Sequence, residues 1–257
     1  MKTNILLALS EKSFSYLWIG EVFPQLAINL LNFLLILIVF EQTQSNTAVS
    51  GIVISFTIPA ILFGSLAGVY VDRWSKKKVL VITNLIRAAL LIILASSVDN
   101  IVVIYCISFA VAIFTQFFIP AETPMVPLVV KEKNLLSANA LFGMGIYGSI
   151  VVAYMLSGPI LIFFKPVNTL LLLAAFLVLG AIFILFIKPK ASVSAHDARP
   201  KKPLNIIRDI KETLSFMSQT SSVSSSLFAL ALAQILILII VTIAPGYAQQ
   251  ILKIKML

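Results

Sequence analysis

The chain has 257 residues, of which 60% are hydrophobic and 11% are charged, and its mean hydropathy is +1.06. Soluble domains carry about 25% charged residues, and a soluble fold of this size could not hide so much apolar surface. The composition therefore excludes a soluble domain and predicts a protein that lies in a lipid bilayer. The net charge of +9 is also typical of nucleic-acid binding. However, the basic residues fall mainly in alternate loops, as membrane topology produces, so we expect no nucleic-acid partner.

Seven apolar stretches are long enough to cross a bilayer as helices, which takes about 20 residues each. None of them alternates in the way that a membrane β-barrel strand does. Helices are expected because lipid offers no partner for an unpaired backbone group. The predicted spans cover residues 14–40, 52–71, 79–98, 101–118, 138–164, 169–187 and 227–247. The sequence thus predicts an all-α membrane protein.

The basic residues predict the orientation of these spans. Fifteen of the 19 lysines and arginines fall in the N-terminal segment or in the loops after spans 2, 4 and 6. Cytoplasmic loops carry such an excess. The first apolar run, residues 5–9, is too short for a cleaved signal and is followed by Glu11 and Lys12. We therefore expect a multi-pass protein of the plasma membrane with a cytoplasmic N-terminus.

The chain divides into three predicted segments. Residues 1–187 form a bundle of six spans, residues 188–226 a cytoplasmic linker, and residues 227–257 carry the seventh span. Within the linker, apolar residues recur at helical spacing from 204 to 217, which indicates an amphipathic helix on the membrane surface or against the bundle. Six spans, a long linker and one further span resemble half of a larger bundle, so we expect the chain to be truncated.

The side chains that build catalytic or metal sites are scarce in this sequence. It has one histidine, His196 in the linker, and one cysteine, Cys106 within span 4. It also lacks the GxxxxGK[ST] loop of a nucleotide-driven pump. We expect no enzyme activity, no metal site and no cofactor.

A strip of small residues on one face of span 2 leads into a charged turn. Ala60, Gly64 and Gly68 recur every four residues and end at Asp72. Small residues let another helix approach closely in lipid. A carboxylate is poorly placed at its own helix C-terminus, so Asp72 suits another helix N-terminus or a neighbouring cation. The basic residues that follow it are Arg73, Lys76, Lys77 and Lys78.

These residues resemble the signature of the major facilitator superfamily between its second and third helices, G-x-x-x-D-R-x-G-R-R in outline, with Ser75 in place of the last glycine. Residues 120–141, PAETPMVPLVVKEKNLLSANAL, resemble the segment between helices 4 and 5 in the branch of enterobactin exporters and macrolide efflux pumps. The resemblance implies the six-helix N-terminal bundle of a twelve-helix fold, followed by helix 7. The partner of this bundle would be a missing C-terminal bundle of the same chain.

The resemblance also implies a function. Members of this branch are secondary active transporters, so we expect ion-coupled, alternating-access export of small amphipathic compounds such as drugs or siderophores. Two departures put the usual proton antiport in doubt: residues 101–118 lack the basic residue of antiporters, and Ile28 stands where many relatives are acidic. A mover of lipids or lysophospholipids, or an importer, would keep the same fold. A scaffold without transport is an alternative of another class.

A polar stripe runs along one face of span 1. Glu21, Gln25, Asn29 and Asn32 follow one another at i, i+4, i+8 and i+11. Such a stripe should face protein or water rather than lipid. It either forms interhelical hydrogen bonds or lines the substrate cavity, which the resemblance favours. Further cavity candidates are Thr115, Gln116, Tyr147, Tyr154 and Gln234, although packing or interface anchoring explains the tyrosines equally well.

Two of the acidic residues have specific expectations. Glu21 is the candidate proton or cation site, unless it lies shallowly near the cytoplasmic headgroups and stays charged. Glu122 is predicted to pair with Arg87 or Arg73, because an unpaired arginine in hydrocarbon is costly. The predicted cytoplasmic gate comprises Gly64, Gly68, Asp72, Arg73, Lys76, Lys77, Arg87 and Glu122. We expect the small-residue strip to face the missing bundle and Asp72 to help close the cytoplasmic side.

Overall fold

The computed structural model describes residues 5–188, 215 and 221–250, and almost all of them are helical. Six helices of this part are long and apolar enough to cross a membrane, which confirms the predicted helical bundle. Short 3-10 helices at Ile5–Ser10 and Glu132–Asn134 accompany them. The α-helices are α1 (Lys12–Thr43), α2 (Asn46–Val71), α3 (Lys76–Ala95), α4 (Ile101–Glu122), α5 (Met125–Val129), α6 (Leu135–Phe163), α7 (Pro166–Leu185) and α8 (Ser221–Gln250).

The helices follow the predicted spans closely, with differences at their ends. α2 begins six residues before the predicted span, because the Ser45 hydroxyl accepts a hydrogen bond from the Ala48 amide and caps a polar first turn. The short helix α5 was not predicted from the sequence. The predicted seventh span lies within α8. The predicted amphipathic helix at 204–217 and His196 lie outside the described residues, apart from Ser215, which is helical and exposed.

The six long helices pack in two similar sets of three. α1 packs against α6 and α7, and α4 packs against α2 and α3. α3 and α7 also pack extensively on each other, and α8 contacts α1 and α2. As a result, α1 and α4 occupy equivalent positions, each packed against both other helices of its set.

The apolar interior consists of two clusters, and the buried charges lie near their boundary. Along α1, Leu17 belongs to one cluster and Ala27 to the other. Along α3, Val81 and Ala88 divide in the same way. Glu21 falls between the first two residues and Arg87 between the second two, so each of these helices has a buried ionisable side chain near the boundary between the two clusters.

Hydrogen bonds connect neighbouring helix ends on the lysine-rich side of the bundle. The Glu11 carboxylate accepts hydrogen bonds from the Lys131 amide at 3.0 Å and from Asn134 Nδ2 at 2.9 Å. Lys77 Nζ donates to the carbonyls of Leu185 and Ile187, both at 2.8 Å, at the end of α7. A lysine at a helix C-terminus satisfies carbonyls that have no partner within the helix. Lys77 therefore joins α3 to α7.

Candidate functional site

Arg87 on α3 is one of the largest fully buried side chains, with 1% of its surface exposed. Its Nη1 donates a hydrogen bond of 3.3 Å to the Thr115 hydroxyl on α4. Its Nη2 donates to Asn84 Oδ1, one turn earlier on α3. The guanidinium carbon lies 4.4 Å from the centroid of the Phe118 ring, which adds a cation–π contact in a dry environment. These contacts fix the guanidinium between α3 and α4.

Two buried carboxyl groups accompany this guanidinium. Glu21 on α1 is 1% exposed and Glu122 at the end of α4 is 4% exposed. Glu122 interacts electrostatically with both Arg87 and Glu21. Glu122 was predicted to pair with Arg87 or Arg73; its charge acts on Arg87, and the pairing itself stays a prediction. We name Glu21, Arg87 and Glu122 the acid–base cluster, and its members lie on α1, α3 and α4.

The acid–base cluster is only partly satisfied by hydrogen bonds. Both carboxylate oxygens of Glu21, Oε2 of Glu122 and Nε of Arg87 are buried, and none of them has a hydrogen-bond partner in the described part of the chain. Buried polar groups are usually paired, so such atoms point to strain or to function. With two acids and one base, the cluster is electrically neutral only when it also holds one proton or another cation. Within residues 5–188, 215 and 221–250, no three metal-ligating side chains come together.

Glu21 is enclosed where α1 and α6 approach closely. A Cβ atom added to Gly145 on α6 would lie 3.2 Å from Glu21 Oε2 and 2.9 Å from Trp18 Nε1. Trp18 Nε1 donates a hydrogen bond of 3.0 Å to the Leu141 carbonyl. Because glycine has no side chain, α6 leaves room at Gly145 for the Glu21 carboxyl group and the Trp18 indole.

The other polar residues of α1 are less enclosed than Glu21. Gln25, Asn29 and Asn32 are half-buried, and Asn29 Nδ2 is a buried donor without a hydrogen-bond partner among the described residues. Gln116 on α4 is also half-buried. The stripe therefore divides into a buried acidic end, which belongs to the acid–base cluster, and an amide-bearing part that is partly accessible.

The tyrosine candidates on α6 lie at the surface of the bundle. Tyr147 is 72% exposed, and Tyr154 is half exposed and contacts Phe33 of α1 edge-to-face, with ring centroids 6.0 Å apart. The structure therefore leaves both hydroxyl groups outside the acid–base cluster. The side chain of Gln234 lies outside the described residues.

The small-residue strip of α2 is accessible. Ala60 and Asp72 are exposed, and Gly64 and Gly68 are half-buried. A Cβ atom at Gly64 would lie 3.7 Å from Gln116 Oε1, an ordinary contact distance. One at Gly68 would have no heavy atom within 4 Å among the residues that the structure covers. The described helices thus do not fill the surface that this strip offers.

Sequence reasoning missed several residues that hold Arg87. Asn84 lies three positions before Arg87, and residues three apart on a helix are neighbours, so this spacing was a usable signal. Thr115 was predicted as a cavity residue, whereas the structure places its hydroxyl on the Arg87 guanidinium. Phe118 gave no such signal, because an aromatic residue in an apolar span is ordinary.

Comparisons with known proteins agree with this architecture. The family model of the Major Facilitator Superfamily matches residues 17–257. The uncharacterized MFS-type transporter YjbB of Bacillus subtilis is 29% identical over 196 residues, which cover 72% of this chain and 45% of that protein. Macrolide efflux protein A of Streptococcus pyogenes is 27% identical over 233 residues, which cover 85% of this chain and 53% of that protein.

The chain spans about half the length of these curated relatives. No solved structure was found to match it. The family match nevertheless covers almost the whole chain and coincides with six membrane-length helices. The chain belongs to the major facilitator superfamily, and the resemblance seen in the sequence is confirmed.

Proposed function

We propose that this chain is part of a secondary active transporter that exports small amphipathic compounds from the cell. The transporter lies in the plasma membrane with its N-terminus in the cytoplasm and works by alternating access as an ion-coupled multidrug antiporter. Its likeness to a macrolide efflux protein supports export. Because the chain spans about half of that relative, the activity belongs to a whole transporter with a C-terminal bundle.

The acid–base cluster is the observation that carries the proposal of ion coupling. Two carboxyl groups and one guanidinium are buried together across α1, α3 and α4. An unbalanced buried charge is strongly unfavourable, so the cluster requires one further positive charge. Gain or loss of a proton there changes the force between α1 and the α3–α4 pair. Since α1 belongs to one set of three helices and α3 and α4 to the other, this force acts between the two sets, and inverted-repeat transporters bind substrate and coupling ions between their repeats.

The same arrangement assigns separate roles to the remaining polar residues. Gln25, Asn29, Asn32 and Gln116 are partly accessible on α1 and α4, and we assign them to the substrate path. Tyr147, Tyr154 and Gln234 complete that assignment on α6 and α8. The strip that ends at Asp72 is assigned to the cytoplasmic contact with the C-terminal bundle. Its accessibility supports that role, because a close helix contact needs small residues that are still uncovered.

The decisive experiment is a transport assay on the complete transporter that contains this chain. Glu21→Gln removes the titratable group but keeps the size of the side chain. In inverted membrane vesicles, we expect this variant to bind a fluorescent amphipathic cation yet lose accumulation driven by a pH gradient. Glu132→Gln is the matched control, because Glu132 is an exposed acid between α5 and α6.

Each outcome of this assay has a definite meaning. Unchanged gradient-driven accumulation in Glu21→Gln rules out Glu21 as the coupling residue. If the unaltered transporter moves a labelled lysophospholipid but no drug-like compound, the lipid-moving alternative replaces the export proposal. If it moves neither class in either direction, the scaffold reading replaces transport.

A further inference from the structure

An apolar groove of about 200 Å³ lies between the first half of α3 and the end of α4. Its lining residues are Trp74, Val79, Ile82, Thr83, Ile86, Phe114 and Phe117. Thr83 is the one hydroxyl-bearing residue of this lining, and it donates a 2.8 Å hydrogen bond to the Val79 carbonyl of its own helix. The groove therefore offers an occupant only apolar contacts, and it is separate from the acid–base cluster.

Aromatic rings close one end of the groove. The Trp74 ring stacks on the Phe117 ring with centroids 6.2 Å apart and an angle of 17° between the planes. Tyr70 continues the row, 5.7 Å from Trp74. Tryptophan and tyrosine favour the membrane–water interface, which places this end of the groove at headgroup level. Ile82, which is 54% exposed, continues the groove towards hydrocarbon.

Positive charge lies at the same end. The turn from 72 to 78 carries four basic side chains against one acid. Lys77 is bound to the end of α7, whereas Lys78 is exposed. Lys78 is four positions before Ile82 and therefore stands on the same face of α3, one turn nearer the aqueous side. An anionic group beside Lys78 would thus lie directly above an apolar channel.

We propose that this groove binds an anionic phospholipid of the cytoplasmic leaflet, with one acyl chain between α3 and α4 and the phosphate beside Lys78. Apolar lining, an aromatic end and a lysine follow one another in the order of acyl chain, glycerol backbone and headgroup. Basic pockets between helices on the cytoplasmic side are known to select anionic lipids. The choice of leaflet rests on the orientation proposed above, whereas the site itself does not depend on transport, because the lipid is a bound component of the protein and not its cargo.

The two tryptophans of the chain, Trp18 and Trp74, provide a direct measurement. The chain is reconstituted as a Trp18→Phe variant, so that Trp74 is the only fluorophore of its kind. Vesicles contain increasing fractions of phosphatidylglycerol or phosphatidylcholine with bromine at carbons six and seven of an acyl chain, and bromine quenches tryptophan on contact. We expect half-maximal quenching at about a fivefold lower fraction of phosphatidylglycerol, the preference expected for one lysine near anionic lipid.

Two substitutions test the two parts of the site. Lys78→Gln should abolish the preference for phosphatidylglycerol while quenching by both lipids persists. Ile86→Phe fills the groove and should lower quenching by both lipids severalfold, whereas Ile93→Phe, on an exposed part of α3 outside the groove, should leave it unchanged. If Trp18→Phe does not fold, the difference between the unaltered chain and Trp74→Phe gives the same signal.

Three results would overturn the proposal. Equal quenching by the two lipids contradicts selection of an anionic headgroup. An unchanged preference in Lys78→Gln removes the assigned phosphate site. Absence of quenching in a folded protein shows that another occupant, such as a protein segment, covers the groove.

Discussion

Glycines are tightly packed in one region of this bundle and loosely packed in another. Where α1 crosses α7, a Cβ atom at Gly180 would lie 2.5 Å from Pro24 Cγ, and one at Gly20 would lie 2.7 Å from Ile184 Cγ1. On α2, a Cβ atom at Gly68 would meet nothing within 4 Å among the residues that the structure describes. The first pair is already used for close packing, whereas the strip of α2 is open.

The contrast shows that a glycine pattern in the sequence does not by itself tell whether a contact has been made. Gly64 and Gly68 form an obvious small-residue motif, yet no described helix packs closely on them, and a Cβ atom at Gly64 would meet only Gln116. Gly20 and Gly180 belong to no motif that links them, yet they bring two backbones together. Each Cβ position there is also within 3.2 Å of the other glycine's carbonyl oxygen, so a methyl group on either glycine would press on the backbone of the other helix.

The largest effect is expected at the α1–α7 crossing. Gly180→Ala should destabilise the bundle by about 1–3 kcal/mol, because the new methyl group overlaps the rigid Pro24 ring. Gly148→Ala on α6 is the matched control, since a Cβ atom there meets no described atom within 4 Å. Thermal unfolding in detergent measures both variants. Equal melting temperatures for the two would show that the crossing is looser than described.

A smaller effect is expected where α1 meets α6. Gly145→Ala should cost about 1 kcal/mol, because the methyl group contacts Trp18 and Glu21 side chains that can shift, at the expense of the indole hydrogen bond to Leu141. The emission of Trp18, recorded in a Trp74→Phe background, should change as that hydrogen bond weakens. An unaltered emission spectrum with an unaltered melting temperature would contradict this close approach.

The smallest effect on stability is expected on the open strip. Gly68→Leu in the complete transporter should leave the unfolding free energy within about 0.5 kcal/mol, as surface substitutions usually do. We nevertheless expect transport to be lost, because the leucine would keep the C-terminal bundle from approaching α2. Ala89→Leu, an exposed small residue of α3, is the control and should retain transport. Normal transport in Gly68→Leu would remove the strip from the proposed gate.

Most of the fold could be predicted from the sequence, because apolar length determines where a chain crosses lipid. The helix ends were harder to predict. Hydropathy could not reveal that α2 extends outward to Asn46, since that extension depends on the cap by Ser45. The short helix α5 is equally invisible to hydropathy, because its five residues follow a proline and are too few to show a period.

The candidate site was predictable where charge needed compensation. An arginine in hydrocarbon needs an acidic partner, so the sequence pointed to Glu122 as the partner of Arg87 or Arg73, and this pairing stays a prediction. The inclusion of Glu21 required three-dimensional packing, because it depends on how α1 lies against its neighbours. The roles of Phe118 and Gly145 could not be found either, since an aromatic ring or a glycine in an apolar span carries no signal until its neighbour is known.

The connection between α1 and α2 has a consequence for biosynthesis. Only Gln44, which has a left-handed φ of 50°, and the capping Ser45 separate the two helices. With a link this short, α1 cannot move from the insertion channel into the lipid before α2 does. We therefore expect the ribosome-bound chain to release both helices together as one helical hairpin. The apolar helix α2 would then favour insertion of α1 into the membrane despite its polar stripe. The residues proposed for coupling would pack against α2, and not against lipid, from the time of insertion.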